Sequence, residues 1–207
     1  MAATQQTMYC RCMPTRDNLE ETILDAALER ILQVGIRRAS LDDIARRAGI
    51  NRVTIYRRFR IKENLVDAVL QREIERVLAE VGRIVRSTPD VDIQIEEAVL
   101  FIIRQTRTHP LATQLLDVAP EEAVEFYTVR GQELVSMGIG YIEHVLRRSQ
   151  KAGAIGQFAI APVAELLARF AHSLLLTPNG GMNFNDDELA RSFVRTTIVP
   201  MVKSGIS

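Results

Sequence analysis

Cysteine and histidine are scarce in this sequence, which restricts metal binding and disulfide chemistry. Of 207 residues, two are cysteine and three are histidine. Cys10 and Cys12 are separated by one residue and have no neighbouring cysteine or histidine to complete a metal site. We therefore expect no metal and no cofactor. We also expect residues 1–16 to form a disordered arm, within which Met8 and Met13 are alternative translation starts.

Long apolar runs are absent as well. No segment approaches the ~18–20 continuous apolar residues that a helix needs to cross a bilayer. The N-terminus lacks the basic and then apolar order of a secretory signal. These two observations predict a soluble cytoplasmic protein with no membrane partner.

Enzyme motifs are also missing. His109, His144 and His172 are far apart, and the sequence contains neither HExxH, nor GxSxG, nor a glycine-rich phosphate loop. The acidic residues at 121–122 and 186–188 are typical of helix first turns rather than of paired catalytic carboxylates. We therefore do not expect an enzyme.

Charge is balanced over the whole chain but unevenly distributed along it. The chain has 26 basic and 26 acidic residues, whereas residues 37–62 contain nine basic and two acidic ones, a net charge of +7. Residues 66–207 are acidic, with 14 basic and 18 acidic residues. A concentrated basic segment attracts phosphates, although an arginine-rich surface exposed to solvent would have the same composition.

The segment SLDDIARRAGINRVTIYRRF, which starts at Ser40, has the pattern of two short helices joined by a tight turn. Ser40 can cap the first helix, Gly49 permits the left-handed conformation that ends it, and Asn51 can cap the second. Ile55 and Phe59 lie four residues apart and can dock on the first helix. A helix-turn-helix of this kind within a basic segment predicts DNA binding.

The outward residues of the second helix are the candidates for reading bases. Arg52 suits a bidentate contact with guanine, Thr54 is a second base reader, and Val53 can pack on a thymine methyl group. Arg57 can reach either a base or the backbone. Ser40 suits a phosphate contact as well as a helix cap.

Residues 19–70 closely resemble the N-terminal DNA-binding module of the tetracycline-repressor (TetR) family of bacterial transcriptional regulators. The resemblance includes a long first helix that ends at Gly35, the SLDDIARRAGI and TIYRRF segments, and the following KENL. Val53 departs from the pattern because the family often has glycine or another small residue there. Arg60 and Ile61 also depart from it, since small or capping residues are usual before the lysine.

The resemblance adds two phosphate contacts, because Tyr56 and Lys62 match the family's phosphate-contacting tyrosine and lysine. The predicted DNA-binding residues are thus Ser40, Asn51, Arg52, Val53, Thr54, Tyr56, Arg57 and Lys62.

Helical periodicity continues to the C-terminus, and no strand alternation persists anywhere. We predict an all-α protein of about nine helices, with a helix-turn-helix DNA-binding domain at residues 17–64 and a helical effector-binding and dimerisation domain at 65–207. Beyond the two helices of the motif, the predicted helices begin at Asp17 or Asn18 and end at Gly35, and then cover residues 62–86, 92–108, 111–118, 120–152, 162–176 and 186–203. Pro200 marks a kink or the end of the last helix.

The resemblance implies a small-molecule pocket in the second domain and a fourth helix that moves when the ligand binds. Aromatic, methionine and glutamine residues on the middle helices are the candidates, although the same spacing is typical of an ordinary core. Such a lining favours an apolar ligand with one or two polar groups. The candidates are Phe101, Gln105, Tyr127, Met137, Tyr141 and Phe170.

The apolar faces of the last two helices can close a monomer's core or pair with a second copy. Reading a palindrome requires two recognition helices ~34–36 Å apart, and hence a dimer. The resemblance implies that the last two helices form its interface. We therefore predict a sequence-specific regulator that acts as a homodimer on a palindromic operator, with the resemblance favouring a ligand-released repressor.

Overall fold

The computed structural model describes residues 16–206, with side chains from residue 18, and all regular structure in this part is helical. This confirms the predicted all-α class. Cys10, Cys12 and the predicted arm up to residue 15 lie outside the described residues. The helices are α1 (Arg16–Val34), α2 (Leu41–Arg47), α3 (Arg52–Phe59), α4 (Lys62–Ser87), α5 (Val91–Thr108), α6 (Pro110–Val118), α7 (Pro120–Val129), α8 (Gly131–Lys151), α9 (Ile160–Leu176), α10 (Asp187–Phe193) and α11 (Val199–Ser204).

Helices α2 and α3 form the predicted helix-turn-helix, and local chemistry explains their bounds. The Ser40 side chain accepts a hydrogen bond from the Asp43 amide, and Asn51 accepts one from the Val53 amide. Gly49 lies between them with φ of +66°, a conformation in which a Cβ would be strained. Ile55 is fully buried in the core that α1, α2 and α4 share with α3.

The first core cluster extends well beyond the helix-turn-helix. It contains Leu65 and Val69 of α4, and it continues through Leu115 of α6 and Phe126 of α7. The cluster therefore contains residues on both sides of the predicted domain boundary at residue 64. The helix-turn-helix unit is thus packed against helices that follow much later in the chain. A second cluster joins α5, α8 and α9 to the last helix, with Val163 and Val194 fully buried.

The predicted single helix over residues 120–152 is wrong, because α7 and α8 are separated at Arg130. Arg130 has φ of −98° and ψ of 0°, at the edge of the helical region, and its amide donates to the Thr128 carbonyl instead of to the carbonyl four residues earlier. The Tyr127 carbonyl accepts a hydrogen bond from His172 Nε2 (2.9 Å) on α9. A Cβ on Gly131 would lie 2.8 Å from the same nitrogen, so the histidine of a distant helix fits only against this glycine.

The last helical segment contains a π-helical turn, Val194–Ile198, between α10 and α11. Proline at position 200 has no N–H to donate, and its ring clashes with the carbonyl four residues earlier. The preceding Val199 amide instead donates to the Val194 carbonyl, one residue further back than in an α-helix. The irregularity predicted at Pro200 is thus absorbed before the proline, and the helix continues to Ser204.

Candidate DNA-binding surface and internal cavity

Helix α3 presents one face to solvent and buries the other. Ile55 and Phe59 lie in the core, whereas the side chains of Arg52, Val53, Tyr56 and Arg57 together line a shallow surface depression. Val53 is 55% exposed and Tyr56 39% exposed, so an apolar and an aromatic side chain lie next to each other on this solvent-facing surface. Thr54 is half-buried beside them.

The Arg52 side chain is held in place along this face. Its Nε lies 2.7 Å from Asp42 Oδ1 on α2, and its Nη2 donates a hydrogen bond to the Tyr56 hydroxyl (3.1 Å). Its guanidinium carbon lies 5.0 Å from the centroid of the Tyr56 ring. The hydrogen bond to Tyr56, followed by the charge of Asp42, raises the pKa of Arg52 above its ordinary value. A base contact by Arg52 therefore competes with Asp42 for the guanidinium.

Lys62 has structural partners that its sequence position did not reveal. Its Nζ donates hydrogen bonds to the carbonyls of Ile36 (3.2 Å) and Arg37 (2.9 Å) in the turn after α1. These bonds tie the start of α4 to that turn and leave one ammonium hydrogen free for a phosphate. Ser40 is exposed at the start of α2 with its hydroxyl oxygen already accepting the Asp43 amide.

Much of the positive charge around the motif is paired within the protein. The ion pairs are Arg37 with Glu125, Arg46 with Asp43, Arg47 with Glu29, and Arg58 with Glu20. Within the side chains described, Arg38, Arg57 and Arg60 have no carboxylate within ion-pair distance. Arg57 is the one of these three that lies on the exposed face of α3, beside Arg52 and Val53.

A second feature is a cavity of ≈ 340 Å³ enclosed mainly by α4, α5, α8 and α9. Of the residues predicted to bind a ligand, Gln105, Tyr127, Tyr141 and Phe170 line it. Phe101 and Met137 do not line it. Phe101 shares a face of α5 with exposed Arg104, and Met137 shares a face of α8 with exposed His144.

Helix α4 contributes a large part of the lining, including Ile74, Leu78 and Val81. None of the predicted ligand-binding residues lies on α4, although the regular apolar stripe of this helix was the available signal. His109 and His172 also line the cavity, and Glu73 is the only lining residue, among those described, with a formal charge. These polar positions were missed because isolated histidines and a single glutamate have no motif.

The aromatic hydroxyls of the cavity differ in how far the protein already satisfies them. Tyr127 donates a hydrogen bond to the Leu111 carbonyl (2.7 Å), and burial raises the pKa of Tyr127 well above its ordinary value. Burial also raises the pKa of Tyr141, with the charge of Arg86 opposing it. The hydroxyl hydrogen of Tyr127 is thus already used within the protein, so this residue contributes mainly its ring to the cavity lining.

A buried network connects this cavity to the DNA-binding unit. Arg72 on α4 has a side chain only 7% exposed, and its Nη1 lies 2.8 Å from Asp25 on α1. Its Nε donates a hydrogen bond to Glu73 Oε1 (3.1 Å). Arg76 bridges the same elements, because it contacts Glu73 (3.0 Å) and Glu21 of α1 (2.9 Å). A residue that lines the cavity therefore shares two arginines with the first helix.

Residues 16–206 contain neither a candidate metal site nor a candidate membrane span. No three side chains of histidine, cysteine, aspartate or glutamate are grouped to hold a metal ion. No helix in that range combines the length and apolarity required to span a membrane.

Comparison with known proteins supports a helix-turn-helix regulatory protein. Residues 23–69 match the family model described as bacterial regulatory proteins, tetR family. The curated relatives and solved structures are likewise named as transcriptional regulators rather than enzymes, which agrees with the prediction. The helix-turn-helix region of the chain, residues 23–69, thus belongs to the TetR family of bacterial regulators.

Individual relatives are distant. FasR of Mycolicibacterium smegmatis, named a transcriptional activator, is 34% identical over 84 residues, which cover 41% of this chain and 38% of FasR. SrpR of Pseudomonas putida is 29% identical over 151 residues, covering 68% of this chain and 67% of SrpR. The matched region thus spans well under half of FasR.

Solved structures agree with the fold along almost the whole chain. The repressor AlkX from Dietzia sp. has a TM-score of 0.67 at 20% identity, over 90% of this chain and 98% of AlkX. FadR of Bacillus subtilis, solved with stearoyl-CoA, has a TM-score of 0.56 at 18% identity, over 90% and 99% of the two chains. At these identities the likeness concerns the fold alone.

Proposed function

We propose that this protein is a transcriptional repressor that binds a palindromic operator as a homodimer and is released by a small apolar molecule. The observation that carries the proposal is the exposed face of α3, on which Arg52, Val53 and Tyr56 form a continuous surface beside the capped turn. The proposal includes a DNA-binding domain at residues 17–64 and an effector-binding and dimerisation domain at 65–207.

In the proposed complex, α3 lies in the major groove with its N-terminal residues toward the base edges. Arg52 exchanges Asp42 for a guanine, while Val53 and Thr54 contact neighbouring bases. Ser40, Tyr56 and Lys62 hold phosphates and set the orientation of the helix, since backbone contacts position a protein without reading sequence. Asn51 acts as the cap that directs α3, and Arg57 reaches the adjacent backbone.

The dimer is proposed to form through α9 and the last helical segment. Leu166 on α9 and Leu189 on α10 are each 49% exposed, more than expected for leucines on helices that also contribute to the core. In the single chain, Phe170 of α9 stacks near Phe193 of α10, with ring centroids 5.6 Å apart. Phe170 and Phe193 thus connect α9 to α10, and we propose that the exposed leucines of the two helices contribute to one apolar face that packs against a second copy.

Release by a ligand requires that the cavity and the DNA-binding unit move together, and α4 provides the connection. Its apolar stripe lines the cavity, and its buried Arg72 is paired with Asp25 of α1. A ligand that prefers a different position of α4 therefore shifts α1 and the recognition helix with it. The ligand can shift this equilibrium only by the difference between its affinities for the two positions of α4, typically about 1–3 kcal/mol.

Selection of bound duplexes from a random oligonucleotide pool tests DNA reading directly. The wild-type protein should select a palindrome, and Arg52→Ala should lose roughly ten- to a hundredfold of discrimination at one base pair per half-site. Arg46→Ala is the matched control, because Arg46 is an exposed arginine on α2 that is paired with Asp43. Loss of the same base preference in the control, or an unchanged preference in Arg52→Ala, would contradict the assignment.

A further inference from the structure

The cavity has a distinct polar end, formed by Glu73 of α4 and His109 at the start of α6. All other described lining residues are uncharged, and most are aliphatic. The Glu73 side chain is 10% exposed and that of His109 is 20% exposed, so water has little access to the pair. A ligand in this cavity therefore meets one point with a formal charge on a mainly aliphatic surface, on which the other polar groups are uncharged.

The two oxygens of Glu73 have different surroundings. Oε1 accepts hydrogen bonds from Arg72 Nε (3.1 Å) and Arg76 Nη1 (3.0 Å). Oε2 accepts no hydrogen bond from any side chain or amide in the described part of the chain, and its polar neighbour is His109 Nε2 at 3.6 Å. That separation exceeds the ~2.7–3.2 Å of a hydrogen bond, so Oε2 retains capacity to accept a donor.

His109 presents a donor to the same point. The Leu111 amide donates a hydrogen bond to His109 Nδ1 (3.3 Å), which caps α6. Because Nδ1 accepts this bond, the proton of the neutral ring lies on Nε2 and is directed at the polar end. Burial lowers the pKa of His109, with Glu73 opposing the shift, which agrees with a neutral ring.

The donor His109 Nε2–H and the vacant acceptor Glu73 Oε2 lie 3.6 Å apart. This arrangement suits a ligand group that both accepts and donates a hydrogen bond. An oxygen atom about 2.8 Å from each of them makes two good hydrogen bonds at once. We propose that the effector is a neutral, mainly aliphatic molecule with a terminal hydroxyl group, which accepts a hydrogen bond from His109 and donates one to Glu73. This inference rests on the proposed ligand response and specifies the class of ligand.

A ligand with a charged end group fits the polar end of the cavity less well than one with a hydroxyl group. A carboxylate has no hydrogen to donate, and it would place a second negative charge beside Glu73 in a site with little water. An ammonium group could pair with Glu73 Oε2. It would, however, leave the His109 Nε2–H without an acceptor and would lie next to the guanidinium groups of Arg72 and Arg76.

Calorimetric titration with 1-decanol, decanoate and decylamine, all below micelle-forming concentrations, tests the inference. The three probes share one aliphatic chain and differ only at the end group. The chain contains no tryptophan, so calorimetry is preferred to intrinsic fluorescence. The wild-type protein should bind 1-decanol about tenfold or more tightly than either charged probe.

Two variants assign the preference to the proposed pair. Glu73→Gln keeps the shape and an acceptor for the arginines but removes the charge, so the ratio of decanol to decanoate affinity should fall by about tenfold. His109→Asn keeps a capping oxygen for α6 and removes the Nε2–H, so decanol should bind more weakly while decanoate is unchanged. Thr106→Val is the control, because it removes a different polar lining group, whose hydroxyl already donates to the Ile103 carbonyl, and it should leave the ratio unaltered.

The outcomes separate the inference from the function on which it rests. Equal or tighter binding of decanoate by the wild type would overturn the hydroxyl assignment while the proposed ligand response stands. A ratio that changes in Thr106→Val but not in Glu73→Gln would also overturn it. Absence of binding by all three probes would overturn both, with DNA recognition still tested separately by Arg52→Ala.

Discussion

Replacement of Arg72 by methionine tests whether the buried network holds α4 against α1. Methionine keeps most of the aliphatic length but removes the guanidinium that contacts Asp25 (2.8 Å) and Glu73 (3.1 Å). The variant leaves the carboxylate of Glu73, whose side chain is 10% exposed, with Arg76 as its remaining arginine partner. The free energy of unfolding should therefore decrease.

The magnitude follows from the exposure of the partners. Breaking a buried ion pair by removal of one member typically costs about 3–5 kcal/mol. Glu21 and Asp25 are 51% and 63% exposed, so both carboxylates can return to water at little cost. The penalty is therefore confined mainly to Glu73, which keeps Arg76, and we expect a loss near the lower end, about 3 kcal/mol.

Urea unfolding followed by far-ultraviolet circular dichroism measures this loss. The double variant Arg72→Met with Glu73→Met leaves no buried charge in this network and should regain most of the stability lost by Arg72→Met alone. Arg83→Met is the control, since Arg83 is an exposed arginine of the same helix that pairs with Glu80. An Arg72→Met variant as stable as Arg83→Met, or a double variant less stable than the single one, would refute the reasoning.

Three further predictions concern α3, α4 and α5. Arg60 has φ of +61° and ψ of −56°, so Arg60→Gly should stabilise the protein by about 1 kcal/mol in urea unfolding by relieving backbone strain. Burial opposes ionisation of Glu96, but hydrogen bonds from Arg195 and Arg191 outweigh it and lower the pKa of Glu96. The wild type should therefore be more stable than Glu96→Gln at neutral pH. This difference in stability should be lost as the pH falls from 4.5, the ordinary pKa of a glutamate, through the lower pKa of Glu96 in the folded protein. Lys62→Ala should weaken binding to all duplexes similarly, flatten the salt dependence and lower stability, because Nζ also holds two carbonyls.

Each of these predictions has a distinct contrary result. Arg60→Ala removes the same charge but retains a Cβ, so an equal gain in stability from alanine would show that charge and not strain is responsible. For Glu96, a stability difference that does not change on acidification would contradict the pairing with Arg191 and Arg195. For Lys62, a change in the preferred base sequence of the alanine variant would mean that the lysine reads bases.

The DNA-binding unit was largely predictable because its signals are local. Ser40 and Asn51 cap helices by accepting hydrogen bonds from amides two or three residues further on, and Gly49 has the positive φ expected at the end of a helix. The four-residue spacing of Ile55 and Phe59 places both on one buried face. The roles proposed for Arg52, Thr54 and Tyr56 in DNA binding stay predictions, although the exposure of Arg52 and Tyr56 on α3 followed from the same spacing.

What the sequence by itself determined was the helical class, the bounds of most helices and the composition of their apolar faces, because these depend on neighbours within about one helical turn. Only the tertiary structure decided which groups oppose those faces. In the folded chain α7 ends at Val129, and His172 of α9 contacts the carbonyl of Tyr127. Arg58 is paired with Glu20, and Glu73 lies beside His109 at one end of a cavity. These partners are separated by 36 to 45 positions along the chain, and periodicity along one helix carries no information about what packs on it.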